Sequence, residues 1–308
     1  MDLQLTILKP VSIEGVGLHT GHPARITLLP ARADTGIVLS AGDGERTRIP
    51  ASPDHVVDGR NATTLGINGT RVQTVEHLLA AAVALGIDNL LVDVEGEEIP
   101  ALDGSAAPFV ALLYAAGKAT LPSPRRPLVV ERPIRVGDEA RWLQVLPADR
   151  LRISYTLDLD HPAVGTQVLS VACNEHAFVR ELAPARTYGF LKDVGALRKN
   201  GLAKGGSLDN VVVVGRRSVL NGTLRYRDEF VRHKILDLIG DLALLGRPLI
   251  GHVVARNAGH ALNHELARAI LYEHAESSAV QVTVRALSHP VGRLEGVSRR
   301  PLPGLAAS

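Results

Sequence analysis

VRHKILDLIGDLALLG (residues 231–246) and VEHLLAAAVALG (residues 75–86) both begin Val-X-His and continue as aliphatic segments that end in Gly. Aliphatic side chains at this density over more than ten residues predict two helices. The similarity of the two segments indicates that one α+β unit has been duplicated. In a duplicated fold the two helices face each other, which brings His77 toward His233 and places a site between the halves.

Polar groups interrupt the second segment at regular intervals. His233, Asp237 and Asp241 are spaced four residues apart, so on a helix they form one column with neighbouring Cβ atoms about 5–6 Å apart. An unpaired carboxylate is costly to bury. The column therefore predicts a metal site, a hydrogen-bond network or a salt bridge.

The composition is that of a globular protein with 308 residues, long enough for two domains. A net charge of +2 and only 3% aromatic residues disfavour a nucleic-acid partner. One cysteine excludes an intrachain disulfide framework. The start MDLQLTILKP lacks the features of a signal peptide, and Asp88 and Asn89 break the best apolar run, residues 78–94. We therefore expect a cytoplasmic protein without a transmembrane segment.

The segment TLPSPRRPLVV (residues 120–130) concentrates proline and arginine and is typical of a linker. We expect an N-terminal α+β domain at residues 1–124 and a C-terminal α+β domain at residues 125–308. The pattern predicts helices at 74–86, 106–117, 175–183, 191–199, 228–245 and 259–274. It predicts strands at 24–31, 89–96, 127–138, 142–149, 151–160, 166–173, 210–214, 249–255 and 279–286.

His77, His233 and Asp237 together suit a catalytic zinc ion, since two ligands come from one helix at i and i+4 and the third from another helix. Three protein ligands leave a fourth position for water, whose pKa the ion lowers to about 7. Glu76 precedes His77 and is placed to accept the proton of that water. The alternatives are a hydrogen-bonded histidine in the core and, for Glu76, an acid that only complements the helix dipole.

His260 and His264 form a second i, i+4 pair with the spacing of metal ligands. We favour a different role for His260. Gly259 suggests that a helix begins at this point, where the positive end of the helix dipole suits an imidazole that faces an anion better than a ligated cation. Asp241 is expected to orient or charge-stabilise His260 if the two approach each other.

Nine motifs occur in order along nearly the whole chain, over about residues 3–275, and together they are specific. The chain resembles the UDP-3-O-acyl-N-acetylglucosamine deacetylase family, the zinc amidases of lipid A biosynthesis. The motifs are GVGLHTG (15–21), TVEHLLAA (74–81), GIDN (86–89), EIPALDGSAAPFV (98–110), HPAVGTQ (161–167), ARTYGF (185–190), GGSLDNVVVV (205–214), DEFVRHKILDLIGDL (228–242) and GHALNH (259–264).

The resemblance implies two similar domains, each a layer of helices on a β-sheet, with the active site in the cleft between them. It implies zinc-dependent hydrolysis of the 2-acetamido group of a UDP-linked, 3-O-acylated glucosamine, with release of acetate. We expect the protein to be a monomer. The implied zinc ligands are His77, His233 and Asp237; the implied catalytic residues are Glu76 as base, His260 as the protonated partner, Asp241 as its support, Thr187 as an oxyanion donor and Lys234 as a contact to phosphate or carbonyl.

The resemblance further implies an insert near residues 187–214 that borders a hydrophobic passage for the acyl chain. The implied substrate contacts are Tyr188, Phe190, Val194, Leu197, Ala203 and Val213, and the alternative for the four aliphatic residues is ordinary local core. Asn257 stands where the family commonly has lysine, and His264 replaces a frequent asparagine. The competing functions are a zinc amidase for another acylated sugar and a non-catalytic binding protein that retains the fold.

Overall fold

The computed structural model describes residues 2–42, 44 and 46–287, with side chains to residue 275. The described chain is a mixed α+β structure. Its helices are α1 (Glu76–Ala84), α2 (Ala107–Ala116), α3 (Glu175–Ala177), α4 (Leu191–Lys199), α5 (Glu229–Leu242) and α6 (His260–Leu287), with 3-10 turns at Pro53–His55 and Ala243–Leu245 and a π-helical turn at Phe178–Leu182.

The strands of the first half are β1 (Leu3–Ile7), β2 (Val11–Val16), β3 (Pro23–Pro30), β4 (Ile37–Ala41), β5 (Thr47–Pro50), β6 (Val56–Asp58), β7 (Thr64–Ile67), β8 (Thr70–Val72), β9 (Leu90–Glu95) and β10 (Lys118–Pro124). Those of the second half are β11 (Leu128–Val129), β12 (Ile134–Gly137), β13 (Trp142–Leu146), β14 (Arg152–Leu159), β15 (Gly165–Ala172), β16 (Tyr188–Phe190), β17 (Val212–Val214), β18 (Leu249–Ile250) and β19 (His252–Arg256).

Two five-stranded sheets repeat one topology, with strand orders β2-β3-β9-β4-β5 and β12-β13-β19-β14-β15. In each sheet the last strand along the chain lies between two antiparallel pairs, antiparallel to one neighbour and parallel to the other. The long crossover before that strand contains α1 in the first sheet and α5 in the second. This repeat agrees with the duplication that the sequence indicates.

Helices α1 and α5 pack directly against each other, and α5 also packs on β14. The inward residues of β14 alternate along the strand, so Ile153, Tyr155 and Leu157 are buried beneath α5. Gly240 permits the close approach of the two helices, because a Cβ atom at this position would lie 2.0 Å from the Glu76 carbonyl oxygen. The N-terminal turn of α1 is thereby held against the last turn of α5.

The segment predicted as a linker is more ordered than its proline content suggests. Strand β10 continues to Pro124 and pairs with β1 in a two-stranded sheet. Both strands are edge strands, where a proline is tolerated because its missing backbone N–H is not needed to pair with another strand. Strand β11 begins at Leu128. The irregular segment that connects the two halves is therefore only a few residues long.

The strand predicted at residues 279–286 is wrong, because these residues belong to α6. The alternating β-branched residues in AVQVTVRA (279–286) favour a strand, but each helical N–H is already satisfied by the carbonyl four residues earlier. The described residues up to Leu271 form one compact unit, and a second unit begins at Tyr272. None of the described helices is both long and apolar enough to span a membrane.

Candidate metal centre

The contact between α1 and α5 brings together the three predicted metal ligands. The rings of His77 and His233 lie edge to face with centroids 4.9 Å apart. Asp237 Oδ1 lies 3.5 Å from His77 Nε2 and 3.2 Å from His233 Nε2. All three side chains are buried, and their potential ligand atoms lie within 4.8 Å of one another.

The surroundings of these atoms fit a divalent cation. Asp237 Oδ1 is buried and has no hydrogen-bond partner in the described structure, although two imidazole nitrogens face it. His233 Nδ1 donates to the carbonyl of Ala185 at 3.0 Å, which leaves the Nε2 lone pair directed at the cluster. Burial lowers the pKa of His233 to about 4, against the opposing effect of Asp237. A neutral imidazole is the form that binds a metal.

The other oxygen of Asp237 is already paired. Lys234 Nζ lies 2.7 Å from Asp237 Oδ2. Burial would raise the pKa of Asp237, but His233 and Lys234 hold it well below its ordinary value. Burial would lower the pKa of Lys234, but Asp237 raises it. Lys234 is therefore a cation whose nearest partner is Asp237, at the edge of the predicted site.

Glu76 lies beside the cluster in the first turn of α1. Its Oε2 accepts a hydrogen bond from the Thr63 N–H at 3.0 Å, and its Oε1 lies 3.8 Å from His260 Nε2. Burial raises the pKa of Glu76, while His260 and His77 oppose the shift. A buried carboxylate whose affinity for a proton is raised is suited to proton transfer.

His260 and Asp241 form the pair that the sequence predicts. His260 Nδ1 lies 2.7 Å from Asp241 Oδ2, so its Nε2 faces Glu76. Burial alone would lower the pKa of His260, but the Asp241 carboxylate and its hydrogen bond raise it to about 9. Burial would likewise raise the pKa of Asp241, which His260 holds below its ordinary range. His260 is therefore protonated at neutral pH.

A cavity of about 180 Å³ opens onto these groups. Eight of the predicted site residues line it: Glu76, His77, Thr187, Tyr188, His233, Lys234, Asp237 and His260. A larger cavity of about 350 Å³ lies near the C-terminal ends of α1 and α5 and contains none of them. The smaller cavity is the one that holds the titratable cluster.

The predicted acyl-chain residues lie around β16, α4 and β17. The Tyr188 ring packs edge to face on Phe230 at 4.9 Å, and the Phe190 ring on His161 at 5.3 Å. The four aliphatic candidates are half-buried and lie outside the main buried core: Val194, Leu197, Ala203 and Val213. The structure therefore gives no support to the alternative that they are core residues, and their role in a passage stays a prediction.

Asn257, in the turn before α6, is hydrogen-bonded to the end of β14. Its side chain accepts from the Asp158 N–H at 2.7 Å and donates to the Asp158 carbonyl at 3.1 Å, and its φ of 47° is in the left-handed region. Arg256 pairs with the Asp158 carboxylate at 2.6 Å. The amide of Asn257 is thus used to fix the start of α6.

Sequence reasoning missed several polar residues of the site. His19 is buried in the cavity wall with both ring nitrogens lacking a described hydrogen-bond partner. Glu98 accepts hydrogen bonds from the backbone of His19 and from the hydroxyls of Thr20 and Thr74. The motif GVGLHTG contained the signal for His19. No sequence pattern indicates a role for Thr63, because only folding brings it to Glu76 and Asp241.

The site combines a buried His–His–Asp set, an adjacent carboxylate and a His–Asp pair in an α+β fold. This combination is typical of metal-dependent hydrolases. Residues 4–272 match the family model of the UDP-3-O-acyl N-acetylglycosamine deacetylases (LpxC), and the chain belongs to this family.

Three relatives carry the name UDP-3-O-acyl-N-acetylglucosamine deacetylase. The chain is 44% identical to the protein of Syntrophotalea carbinolica over 308 residues, 99% of each chain. It is 50% identical to that of Oleidesulfovibrio alaskensis over 89% of this chain and 90% of the relative. It is 48% identical to that of Anaeromyxobacter dehalogenans over 92% of each.

Proposed function

We propose that this protein hydrolyses the 2-acetamido group of UDP-3-O-acyl-N-acetylglucosamine and releases acetate, a committed step of lipid A biosynthesis. The family match and the names of the relatives support this substrate. The chemistry is supported above all by Asp237 Oδ1, which is buried beside two imidazoles without a hydrogen-bond partner among the described residues and lines the same cavity as Glu76. This arrangement suits a hydrolytic metal site better than a binding protein that only retains the fold.

The proposed metal is zinc, held by His77, His233 and Asp237. Two imidazole nitrogens and one carboxylate oxygen form a common ligand set of catalytic zinc and leave a position open. Zinc, when bound, supplies Lewis-acid activation of water and of the amide carbonyl. The contact from His233 Nδ1 to the Ala185 carbonyl fixes the ring for this role.

The remaining residues move protons and stabilise charge. Glu76 accepts the proton of the attacking water, and the Thr63 N–H holds its carboxylate in position. Thr187 donates its hydroxyl to the oxyanion that develops from the acetamide carbonyl. His260 donates a proton from Nε2 to the leaving amine, and Asp241 supports the imidazolium. The products are acetate and the free 2-amino group.

The substrate extends away from this centre in two directions. We assign Lys234 to a contact with a substrate phosphate or carbonyl, since its ammonium group borders the cavity. We assign the aromatic rings of Tyr188 and Phe190 to substrate contact at the start of the insert. The half-buried aliphatic residues Val194, Leu197, Ala203 and Val213 are assigned to the acyl passage.

The repeated sheet topology supports the division into domains at residues 1–124 and 125–308, each a layer of helices on a sheet, with the site in the cleft between them. The insert near 187–214 belongs to the second domain. We propose a cytoplasmic monomer, and the proposed location rests on the nucleotide that the proposed substrate carries. Sedimentation of the purified protein tests the oligomeric state, and cell fractionation tests the location.

The direct test is acetate release from UDP-3-O-acyl-N-acetylglucosamine by zinc-loaded protein. Acetate should appear in proportion to enzyme, stop on removal of zinc and return when zinc is restored. The unacylated UDP-N-acetylglucosamine should be a poor substrate, because it lacks the chain that fills the passage. Equal turnover of the two compounds would contradict the proposed substrate, and no release from either would contradict the proposed reaction.

A further inference from the structure

His264 occupies a position that the catalytic assignment leaves unexplained. It is 2% exposed and lies on α6 one turn beyond His260. Its Nε2 is 2.9 Å from Thr63 Oγ1 and 3.3 Å from Asp241 Oδ1. Because the Thr63 hydroxyl donates to Asp241 Oδ1, its oxygen remains an acceptor. His264 Nε2–H therefore donates to the Thr63–Asp241 pair.

Asp241 is shared by two histidines, one on each oxygen. Oδ2 accepts hydrogen bonds from His260 Nδ1 at 2.7 Å and from Asn263 Nδ2 at 2.8 Å. Oδ1 accepts hydrogen bonds from the Thr63 hydroxyl and from His264 Nε2. Each donor to a buried carboxylate stabilises its charge and fixes its plane. The donor from His264 thus acts on the oxygen opposite the one that holds His260.

Gly59 provides the space for the His264 ring. A Cβ atom at residue 59 would lie 2.8 Å from His264 Nδ1 and 2.9 Å from its Cε1. The φ angle of Gly59 is not in the positive region, so the backbone itself tolerates alanine. The glycine is therefore required by the imidazole at 264 and not by a turn.

We propose that His264 is a positioning residue that acts through Asp241. It fixes the carboxylate that orients His260, and by donating a hydrogen bond to that carboxylate it lowers the affinity of His260 for its proton. The inference rests on the proposed function, in which His260 protonates the leaving amine. Among the described residues, the other charged or titratable groups that face His260 are Glu76 from α1, Asp237 from α5 and His19 from the loop after β2, and none of them is altered by a change at 264.

Two substitutions separate the effect of the N–H donor from the effect of packing. His264→Leu fills the site without a donor, whereas His264→Asn keeps an N–H group. Losing the donor leaves more negative charge on Asp241 for His260, so the pKa of His260 should rise by about 0.5–1 unit in His264→Leu. His260 then becomes a weaker acid, so kcat should fall more than KM changes. His264→Asn should return both values toward those of the unaltered protein.

The pKa is measured by NMR on zinc-loaded protein with ring-labelled histidine, and the His260 resonance is assigned with His260→Gln. The pH at which kcat/KM declines on the basic side of the profile should rise together with the pKa of His260. A folded His264→Leu protein with an unchanged His260 titration and an unchanged basic limb would overturn the proposal and leave His264 as packing alone. This titration needs no turnover, so it separates failure of the inference from failure of the proposed function, which acetate release tests.

A double-mutant cycle supplies an independent measurement. Gly59→Ala displaces the His264 ring, so it should raise the His260 pKa in the unaltered background. In His264→Asn, where the side chain is smaller, the same change should have little further effect. Equal shifts in both backgrounds would contradict the coupling. If Gly59→Ala does not fold, the comparison of His264→Leu with His264→Asn decides the question by itself.

Discussion

Asp237 has two oxygens in different surroundings, and this asymmetry is the residue-scale basis of the metal assignment. Lys234 binds Oδ2, while Oδ1 faces two imidazole nitrogens and has no hydrogen bond to any residue that the structure describes. A buried carboxylate oxygen without a partner is costly, and a cation between the three groups removes that cost. His233 and Lys234 together keep Asp237 ionised, which is the form that the proposed metal requires.

We expect purified protein to carry about one tightly bound divalent metal per chain, as a three-ligand catalytic site does. His77→Ala and His233→Ala should each lose it, because two ligands are insufficient to retain the ion. The control is His176→Ala, which removes an exposed histidine on α3. Metal analysis after dialysis measures occupancy. Full occupancy in both ligand variants would show that the ligands are assigned wrongly.

Glu76 is expected to act on a proton without holding the ion. Glu76→Ala should retain the metal and lose about 10²–10⁴ in turnover, the usual contribution of a general base. Glu76→Gln is the matched variant, because its amide oxygen still accepts the Thr63 N–H that fixes the side chain. Metal analysis and acetate release on the same samples distinguish the roles. Loss of metal in Glu76→Gln would make Glu76 a ligand.

The raised pKa of His260 predicts how kcat/KM changes at high pH. The imidazolium is the active form, so kcat/KM should decrease as pH rises through about 9, the value to which Asp241 raises the pKa against the effect of burial. Whatever activity remains in His260→Gln should lack this basic limb. A pH–rate profile of both proteins makes the comparison. Identical basic limbs would remove His260 from the mechanism.

At the scale of elements, the site depends on the close packing of α1 on α5. Gly240→Ala places a Cβ atom 2.0 Å from the Glu76 carbonyl oxygen and 2.9 Å from the Glu76 Cα atom, so the helices must separate. We expect this to destabilise the fold by about 1–3 kcal/mol, as overpacking does. The same movement displaces Glu76 and His77, so activity should fall as well.

The matched control for this prediction is Gly195→Ala in α4, where the added Cβ meets no other part of the described chain within 4 Å beyond its own helix turn. Alanine there should be neutral or stabilising by about 0.5–1 kcal/mol, since glycine is a poor helix former. Chemical denaturation of the two variants measures both changes. Equal stability of Gly240→Ala and the unaltered protein would show that α1 and α5 need not lie as close as the structure has them.

The elements that the sequence predicted well are those with a strong local pattern. The sequence pattern alone predicts four of these elements, through the apolar runs of α1, α2 and α5 and the alternation in β14. Short edge strands such as β6 and β16 have only three residues and no readable period. Residues 279–286 have the composition of a strand but continue a helix, because local propensity yields to the element already formed.

The same distinction applies to the site. The spacing of His233, Asp237 and Asp241 on one helix can be read from the sequence, since a helix fixes their column. The approach of His77 to His233 followed from the repeat. Thr63 and Gly59 could not be predicted, because both lie in a loop whose position is set by contacts with distant residues.

At the scale of the whole molecule, the repeated topology gives two sheets whose crossover helices supply the site from both halves. The first half contributes Glu76 and His77, and the second contributes His233, Asp237 and His260. Among the described residues, the insert with α4 and β16–β17 belongs to the second half alone. Duplication accounts for a centre shared by both halves, and the insert in one copy accounts for placing the proposed acyl passage on one side.

The final prediction concerns that chain. Each buried CH₂ contributes about 0.8 kcal/mol, so kcat/KM should rise about fourfold per methylene while the passage is being filled, and then level off. Ala203 is a poor position to block the passage, because its φ of 53° makes a bulkier side chain strained. Val194→Phe, on the half-buried face of α4, should instead move the plateau to shorter chains.

Val129→Phe is the control, since Val129 is 50% exposed on β11, outside the insert. The measurement is kcat/KM for UDP-linked substrates that differ only in acyl length, with all three proteins. If the passage is lined as proposed, Val194→Phe leaves short-chain substrates unaffected and penalises long ones, because the lost volume matters only when the chain reaches it. A uniform loss at every length would instead indicate damage to the catalytic centre. A flat profile in the unaltered protein would refute the passage while leaving the amide hydrolysis in place.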